Sequence, residues 1–322
     1  MKLRHQVFIF FIFFSVALYA NESSIKITFG SCYKQDDSEA VFRNMRLQNS
    51  DAFFWLGDII YADHFSAQKR EAAYNQIKNK YEYKKLKSAL TIDGTWDDHD
   101  YAHNNAGGDY LWKEQSKRAL LNFLEIDRDS PVYTRRGIYH KRRLIKDSLT
   151  IETLFLDTRS FMKKSQRKLL GRAQWEWLED NVRYSNADLI IIASSISVLS
   201  PVSRLLFWIE GWHQFEEEKQ RLISLIKSTN KKIILLSGDR HYSDASRVSL
   251  NNGRFLYEFM SSGMTKTSRP MKSHLRINNP ISEQNFSTLK IQPIQNNVLQ
   301  ILHEVHSSKT NRTLQRNIVL LR

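Results

Sequence analysis

Residues 52–63 have the sequence AFFWLGDIIYAD, in which an apolar run ends at Gly57 and acidic and phenolic side chains follow at once. An unbroken apolar run of this length is typical of a strand that is buried on both faces, as in a parallel sheet. Ligands bind beyond the carboxyl ends of such strands in open α/β sheets. The stretch therefore predicts an α/β fold with Asp58 and Tyr61 close to a functional site.

Three other predicted strands end in polar clusters of the same kind. The clusters are GSCY at 30–33, DDHDY at 97–101 and SGDRH at 237–241. Together with residues 57–63, they would bring carboxylates, imidazoles, a thiol and a phenol to one place, which is a mixed hard and soft metal-ligand set. Hydrolysis of a phosphate ester needs such a set, because two cations joined by a bridging carboxylate can clamp the phosphoryl oxygens.

The rest of the chain alternates between helical and strand periods. Helical patterns occur at 39–48, 67–90, 111–124, 172–184 and 212–228. Strand patterns occur at 151–156, 189–193, 255–260, 298–305 and 318–321. These patterns predict one α/β domain over residues 21–322, built as a sandwich of two mixed β-sheets flanked by helices.

The N-terminus has the pattern of a secretory signal peptide. Lys2 and Arg4 precede an apolar run at 7–18, and Ala20 then precedes a polar stretch. The run is shorter than the roughly 20 apolar residues of a spanning helix. We therefore expect residues 1–20 to be a leader cleaved after Ala20, and the protein to be periplasmic or secreted. Because Cys32 is the single cysteine, no disulfide can stabilise the chain internally.

Lys and Arg total 48 against 34 Asp and Glu, a net charge of +14, which favours contact with polyanions. The densest basic stretch, residues 135–143, could contact an anionic membrane or polymer surface, or form a solvated hairpin. No nucleic-acid-binding motif occurs, and no obligate protein partner is evident. The apolar stretch at 205–212 could line a substrate cleft or begin a packed helix.

Taken in order, the motifs Gly-Ser-Cys, Gly-Asp-x-x-Tyr-Ala-Asp, Thr-Trp-Asp-Asp-His-Asp and Ser-Gly-Asp-Arg-His resemble the PhoD-like (alkaline phosphatase D) branch of the metallophosphoesterases. The resemblance covers about residues 25–270. It implies the metallophosphoesterase sandwich and an exported enzyme that hydrolyses phosphate mono- or diesters. In such an enzyme, metal-bound hydroxide attacks phosphorus at a dinuclear site.

The resemblance also implies a first metal site. Asp58 is similar to the family's bridging carboxylate. Cys32, Tyr61 and His241 resemble the ligands of a ferric iron held by thiolate and phenolate.

At the second site, the resemblance implies Asp98 and Asp239 as ligands, and these oxygen ligands suit Ca²⁺. His99 resembles the histidine that assists the leaving oxygen. The usual histidine after the strand at 189–193 is replaced by serine, so water or Asp97 would complete the coordination. Arg159 is a candidate phosphate clamp, because a guanidinium fork matches phosphate oxygens.

Two alternatives remain. The chain could be a phosphodiesterase or phospholipase-like enzyme acting on lipid or wall-polymer phosphodiesters. It could also be a non-catalytic exported protein that binds anionic lipid or polysaccharide through residues 135–143.

Overall fold

Two six-stranded β-sheets face each other in the computed structural model, which describes residues 23–63, 66–199 and 208–322. In chain order the strands are β1 (Ile25–Gly30), β2 (Ala52–Leu56), β3 (Thr91–Thr95), β4 (His140–Lys146), β5 (Leu149–Phe155), β6 (Leu189–Ala193), β7 (Ile233–Ser237), β8 (Ser243–Ser249), β9 (Phe255–Ser261), β10 (Asn285–Ile294), β11 (Val298–Ser307) and β12 (Thr313–Leu321). The predicted leader, residues 1–20, lies outside the described residues.

Each sheet combines parallel and antiparallel strands. The first has the order β12-β11-β10-β1-β2-β3, in which β1, β2 and β3 are parallel. The second has the order β4-β5-β6-β7-β9-β8, in which β5, β6, β7 and β9 are parallel. The predicted sandwich of two mixed sheets is confirmed. Parallel strands end at the same edge of their sheet, so this topology gathers the polar clusters that follow them.

Helices cover the outer faces of both sheets. They are α1 (Ala40–Arg46), α2 (Ala67–Asn79), α3 (Tyr81–Ala89), α4 (Asp98–Tyr101), α5 (Lys113–Leu124), α6 (Arg172–Tyr184) and α7 (Glu216–Lys227). Along β2, Phe53 and Trp55 pack with the α1–α5 layer, whereas Phe54 and Leu56 pack between the sheets. Successive side chains of a strand point to opposite faces, so the unbroken apolar run of β2 fills two cores at once.

Several element boundaries differ from the sequence prediction. The helical region expected at 67–90 is two helices, because the backbone of Lys80 is extended at φ −62° and ψ 134°. The region expected at 212–228 is a short 3₁₀ turn, Trp212–Gln214, followed by α7. Strands β4, β8 and β10 were not predicted. Among the described residues, no helix combines the length and the apolar character needed to cross a bilayer.

The basic stretch at 135–143 leads into β4, an edge strand paired with β5. Its cations are engaged locally: the Arg135 guanidinium lies 3.9 Å from the ring centre of Tyr139, and Arg136 donates to the Ser160 carbonyl at 2.8 Å. The hairpin interpretation of this stretch therefore accounts for its position in the fold.

Asp93 on β3 links the edges of the two sheets. Its buried carboxylate lies 2.8 Å from His140 Nε2 and 2.6 Å from Arg142 Nε, both on β4. Although burial alone would raise the pKa of Asp93, His140 and Arg142 lower it below its usual value. These contacts join the edge strand β3 of one sheet to the edge strand β4 of the other.

We predict that Asp93→Asn lowers the free energy of unfolding by about 2 kcal/mol, because the two partners lose a buried counter-charge and part of that loss is screened by water. Since the pKa is depressed in the folded state, this contribution is present above about pH 4 and is lost below it. Urea denaturation at pH 7 measures the effect. Glu283→Gln, which breaks the exposed Arg312 pair, is the control and should cost less than about 0.5 kcal/mol. Equal losses would contradict the role of Asp93.

Candidate metal centre

The four residues expected at the first metal site come together at the carboxyl ends of β1, β2 and β7; they are Cys32, Asp58, Tyr61 and His241. Ligand atoms of Cys32, Asp58 and His241 all lie within 4.8 Å of one another. The Tyr61 hydroxyl donates to Asp58 Oδ2 at 2.8 Å and lies 3.4 Å from His241 Nε2. Thiol, carboxylate, phenol and imidazole therefore surround one point, although Cys32 and His241 are far apart in the chain.

A second group shares Asp58 with the first. Ligand atoms of Asp58, Asp98 and His99 also lie within 4.8 Å of one another, so Asp58 occupies the position that a bridging carboxylate needs. Asp239 lines the same cleft, whose volume is about 280 Å³, but belongs to neither three-residue group. The structure thus brings Asp239 to the cleft without putting it among the tightest sets of candidate ligands in the described residues.

The backbone at these positions is strained. Cys32, Asp58, Asp239 and His241 have φ values of 61°, 48°, 73° and 59°, in the left-handed region that non-glycine residues rarely adopt. Gly57 precedes Asp58 at φ 89°, and a Cβ there would lie 2.5 Å from the Cβ of Asp97. Strain of this kind persists only when surrounding structure holds it, and it concentrates at functional sites.

The site concentrates buried negative charge. Burial and the neighbouring carboxylate of Asp98 raise the pKa of Asp58 well above its usual value. Burial, Glu210 and Asp98 raise the pKa of Asp239 to about 7. Burial and the Asp58 charge likewise raise the pKa values of Cys32 and Tyr61. These groups repel one another in their charged forms, and a cation between them would remove the repulsion.

The residues present fit a pair of metal ions. Asp58 Oδ1 is buried and has no hydrogen-bond partner among the described residues, as expected of an oxygen atom that binds a metal ion. Burial lowers the pKa of His241 to about 4, so its imidazole is neutral near pH 7 and can act as a ligand. Soft and aromatic donors lie on one side of Asp58, and carboxylate and imidazole lie on the other.

Arg159, the expected phosphate clamp, is paired with two carboxylates, and its clamp role stays a prediction. Its guanidinium is fully buried, with Nη2 lying 2.5 Å from Asp97 Oδ1 and 2.7 Å from Glu210 Oε2. Arg159 therefore neutralises Asp97 and Glu210, and of these three residues only Glu210 lines the cleft. The cations that do line the cleft are Arg240 and Arg269.

Asp97, the expected alternative ligand, is held by the same contacts. Its Oδ1 accepts from Arg159 Nε at 2.7 Å and from the hydroxyl of Ser195 at 2.6 Å. Ser195 therefore stands where the histidine is missing and contacts Asp97. Asp97 is therefore not part of the second group, which consists of Asp58, Asp98 and His99.

Two further residues of the site were missed in the sequence. Asp63 Oδ1 lies 2.5 Å from His99 Nδ1, which fixes the imidazole and leaves Nε2 for chemistry. Glu210 pairs with Arg159 and Lys164 at the wall of the cleft. Asp63 belongs to the motif at 57–63, which was a signal for it. Glu210 lies in the apolar stretch at 205–212, which carries no signal for a charged site residue. In that stretch Trp208 and Ile209 line the cleft, Trp212 packs in the core, and residues 205–207 fall outside the described part.

Comparison with known proteins agrees with this geometry. A family model described as PhoD-like phosphatase matches residues 140–305, just over half of the chain. Alkaline phosphatase D of Bacillus subtilis (strain 168) is 24% identical over 293 residues, which cover 72% of this chain and 48% of that protein. The chain thus spans about half the length of this curated relative.

Solved structures share the fold. The structure of PhoD matches with a TM-score of 0.72 and 18% identity, covering 92% of this chain and 72% of its own. A purple acid phosphatase from yellow lupin (Lupinus luteus) seeds matches at 0.64 and 13% identity, covering 92% and 54%. A dimetal phosphatase from Danio rerio matches at 0.57 and 12% identity, covering 92% and 99%. The resemblance found in the sequence motifs is confirmed.

The structural role of Arg159 leads to a prediction about stability. Arg159→Met should lower the free energy of unfolding by about 3–5 kcal/mol, because Asp97 and Glu210 would remain buried without their counter-charge. Arg269→Met removes an exposed cation of the same cleft and should leave stability almost unchanged. Urea denaturation of both variants measures the difference. A stable Arg159→Met protein that loses only activity would restore the clamp interpretation.

Proposed function

The chain belongs to the PhoD-like phosphatase family, and we propose that it is an exported, metal-dependent phosphoesterase that hydrolyses phosphate mono- or diesters. The observation that carries the proposal is the shared position of Asp58 in two ligand groups, one with Cys32 and His241 and one with Asp98 and His99. Two metal ions held there would supply the Lewis acidity that polarises phosphoryl oxygens and activates water.

The donor sets support different ions in the two positions. Cys32, Tyr61 and His241 suit ferric iron, because thiolate and phenolate are anionic donors that stabilise a trivalent cation and imidazole is a common iron ligand. Carboxylate oxygens from Asp98 and Asp239 suit calcium, which prefers oxygen ligands in flexible geometry. We therefore propose Fe³⁺ for the first group and Ca²⁺ for the second.

The chain's own residues have distinct parts in the reaction. Asp58 would bind both metal ions, because its carboxylate belongs to both groups of candidate ligands. His99 lies beside the proposed metals as a proton donor and not as a ligand, because Asp63 holds its Nδ1 and its Nε2 gives a proton to the leaving oxygen. Arg240 and Arg269 place positive charge along the cleft, which favours an anionic ester over neutral solutes. The two β-sheets hold the loops that carry these residues in fixed positions.

We predict that Asp58→Asn reduces turnover of a chromogenic phosphate ester by at least about a thousandfold, because the amide removes the shared negative charge without changing the shape. Steady-state rates on a mono- and a diester, with circular dichroism to confirm the fold, measure the effect. Asp180→Asn, exposed on α6, is the control and should keep full activity. Near-normal rates in Asp58→Asn would refute the shared role.

We also propose that residues 1–20 direct export and are then removed. The basic start, the apolar run at 7–18 and the small residue Ala20 support this location. N-terminal sequencing of protein recovered outside the cytoplasm should begin at Asn21. Phe13→Arg, which interrupts the apolar run, should keep the chain inside the producing cell. Recovery of the wild-type chain with Met1 intact would contradict the proposal.

A further inference from the structure

A second cavity lies beside the metal cleft. It has a volume of about 600 Å³ and is formed by the loop at 103–112 and by residues 162–165. Its apolar walls come from Tyr110, Leu111, Trp112 and Met162, which we call the apolar annex. The annex and the metal cleft share Asn105 in their linings, so the two spaces adjoin. Its size is that of a small-molecule site.

The annex exposes apolar surface where burial would be favourable. Leu111 is 80% exposed and Trp112 is 41% exposed, at neighbouring positions on the rim. An apolar ligand would remove these rim side chains from water.

The walls of the annex are fixed before any ligand arrives. The N–H of Gly108 donates to the Met162 carbonyl at 2.9 Å, and Lys113 Nζ donates to the Gly108 carbonyl at 2.8 Å. A Cβ at Gly108 would lie 2.8 Å from the Ser160 carbonyl oxygen, so only glycine allows this approach. A preformed cavity binds its ligand without the cost of ordering a loop.

Direct contacts connect the annex to the reacting centre. The N–H of Asn105 donates to Asp98 Oδ2 at 2.5 Å, and the Asn105 carbonyl accepts from Lys164 at 3.1 Å. Lys164 in turn lies 2.7 Å from Glu210 at the wall of the metal cleft. A phosphoryl group at Asp98 would thus place one of its ester arms beside the annex.

We propose that the annex binds a hydrocarbon arm of the phosphate ester, so that the substrate class is an amphiphilic ester with one alkyl or aromatic group. The inference rests on the proposed function, since it assigns the phosphoryl end to the metal cleft. The continuity of the two cavities through Asn105 identifies the occupant as part of the substrate. Leu111 and Trp112 then determine specificity, while His99 and Asp58 determine chemistry.

Binding of two phosphonates to the protein as purified, with its metals, tests the annex directly. Octylphosphonate, kept below its micelle-forming concentration, should bind at least about tenfold more tightly than methylphosphonate, because its added methylenes leave water. The double variant Leu111→Ser/Trp112→Ser should reduce this ratio to near one. The matched control Ile145→Ser/Tyr184→Ser, which removes exposed apolar groups far from the cleft, should retain the full ratio.

The outcomes separate the annex from the proposed function. Equal binding of the two phosphonates, or an unchanged ratio in the Leu111/Trp112 variant, would overturn the annex. A preference that occurs only with micelles or vesicles would assign the effect to a lipid surface and would also overturn it. Retained preference without metal-dependent turnover of p-nitrophenyl phosphate or of its octyl diester would refute the proposed phosphoesterase and the substrate role of the annex, and would leave a cavity that binds hydrocarbon.

Discussion

The burial of several carboxylates at one end of the sandwich is the constraint on which the rest of the site depends. Asp58, Asp97 and Asp98 are buried there and Asp239 is partly buried, and like charges so close together destabilise a fold unless cations offset them. Arg159 offsets part of this charge by pairing with Asp97 and Glu210. In the described part of the chain, no arginine forms a salt bridge with Asp58, Asp98 or Asp239, and cations between these carboxylates would remove their repulsion.

The fold supplies the conditions for this concentration of charge. Strands β1, β2 and β3 are parallel in one sheet, and β5, β6, β7 and β9 are parallel in the other, so their following loops meet at one edge. The chain turns directly after these strands, and several of the candidate ligands there have backbone φ angles in the left-handed region. The two layers of core behind them keep this strained geometry in place.

The sequence was sufficient to predict the sandwich and the main ligand candidates, because each candidate directly follows an apolar strand. Asp58 after β2 and His241 after β7 are found by this rule. Glu210 could not be found this way, since it lies in a connecting segment whose position depends on tertiary packing.

Arg159 shows the opposite limit. Its residue type suggested a phosphate contact, but whether a guanidinium faces substrate or a buried carboxylate depends on long-range contacts. Its partner Asp97 is 62 positions away in the chain. The break at Lys80 and the edge strand β4 were likewise set by packing and pairing, and no local pattern marked them.

The proposed reaction needs two metal ions, one on either side of Asp58. Anomalous X-ray scattering from crystals of the purified protein, collected on both sides of the iron absorption edge, would locate them. We expect two peaks about 3.5–4 Å apart, an iron signal near Cys32 and a non-iron signal near Asp98. Absence of both peaks from protein that hydrolyses phosphate esters, or metal bound only elsewhere, would contradict it.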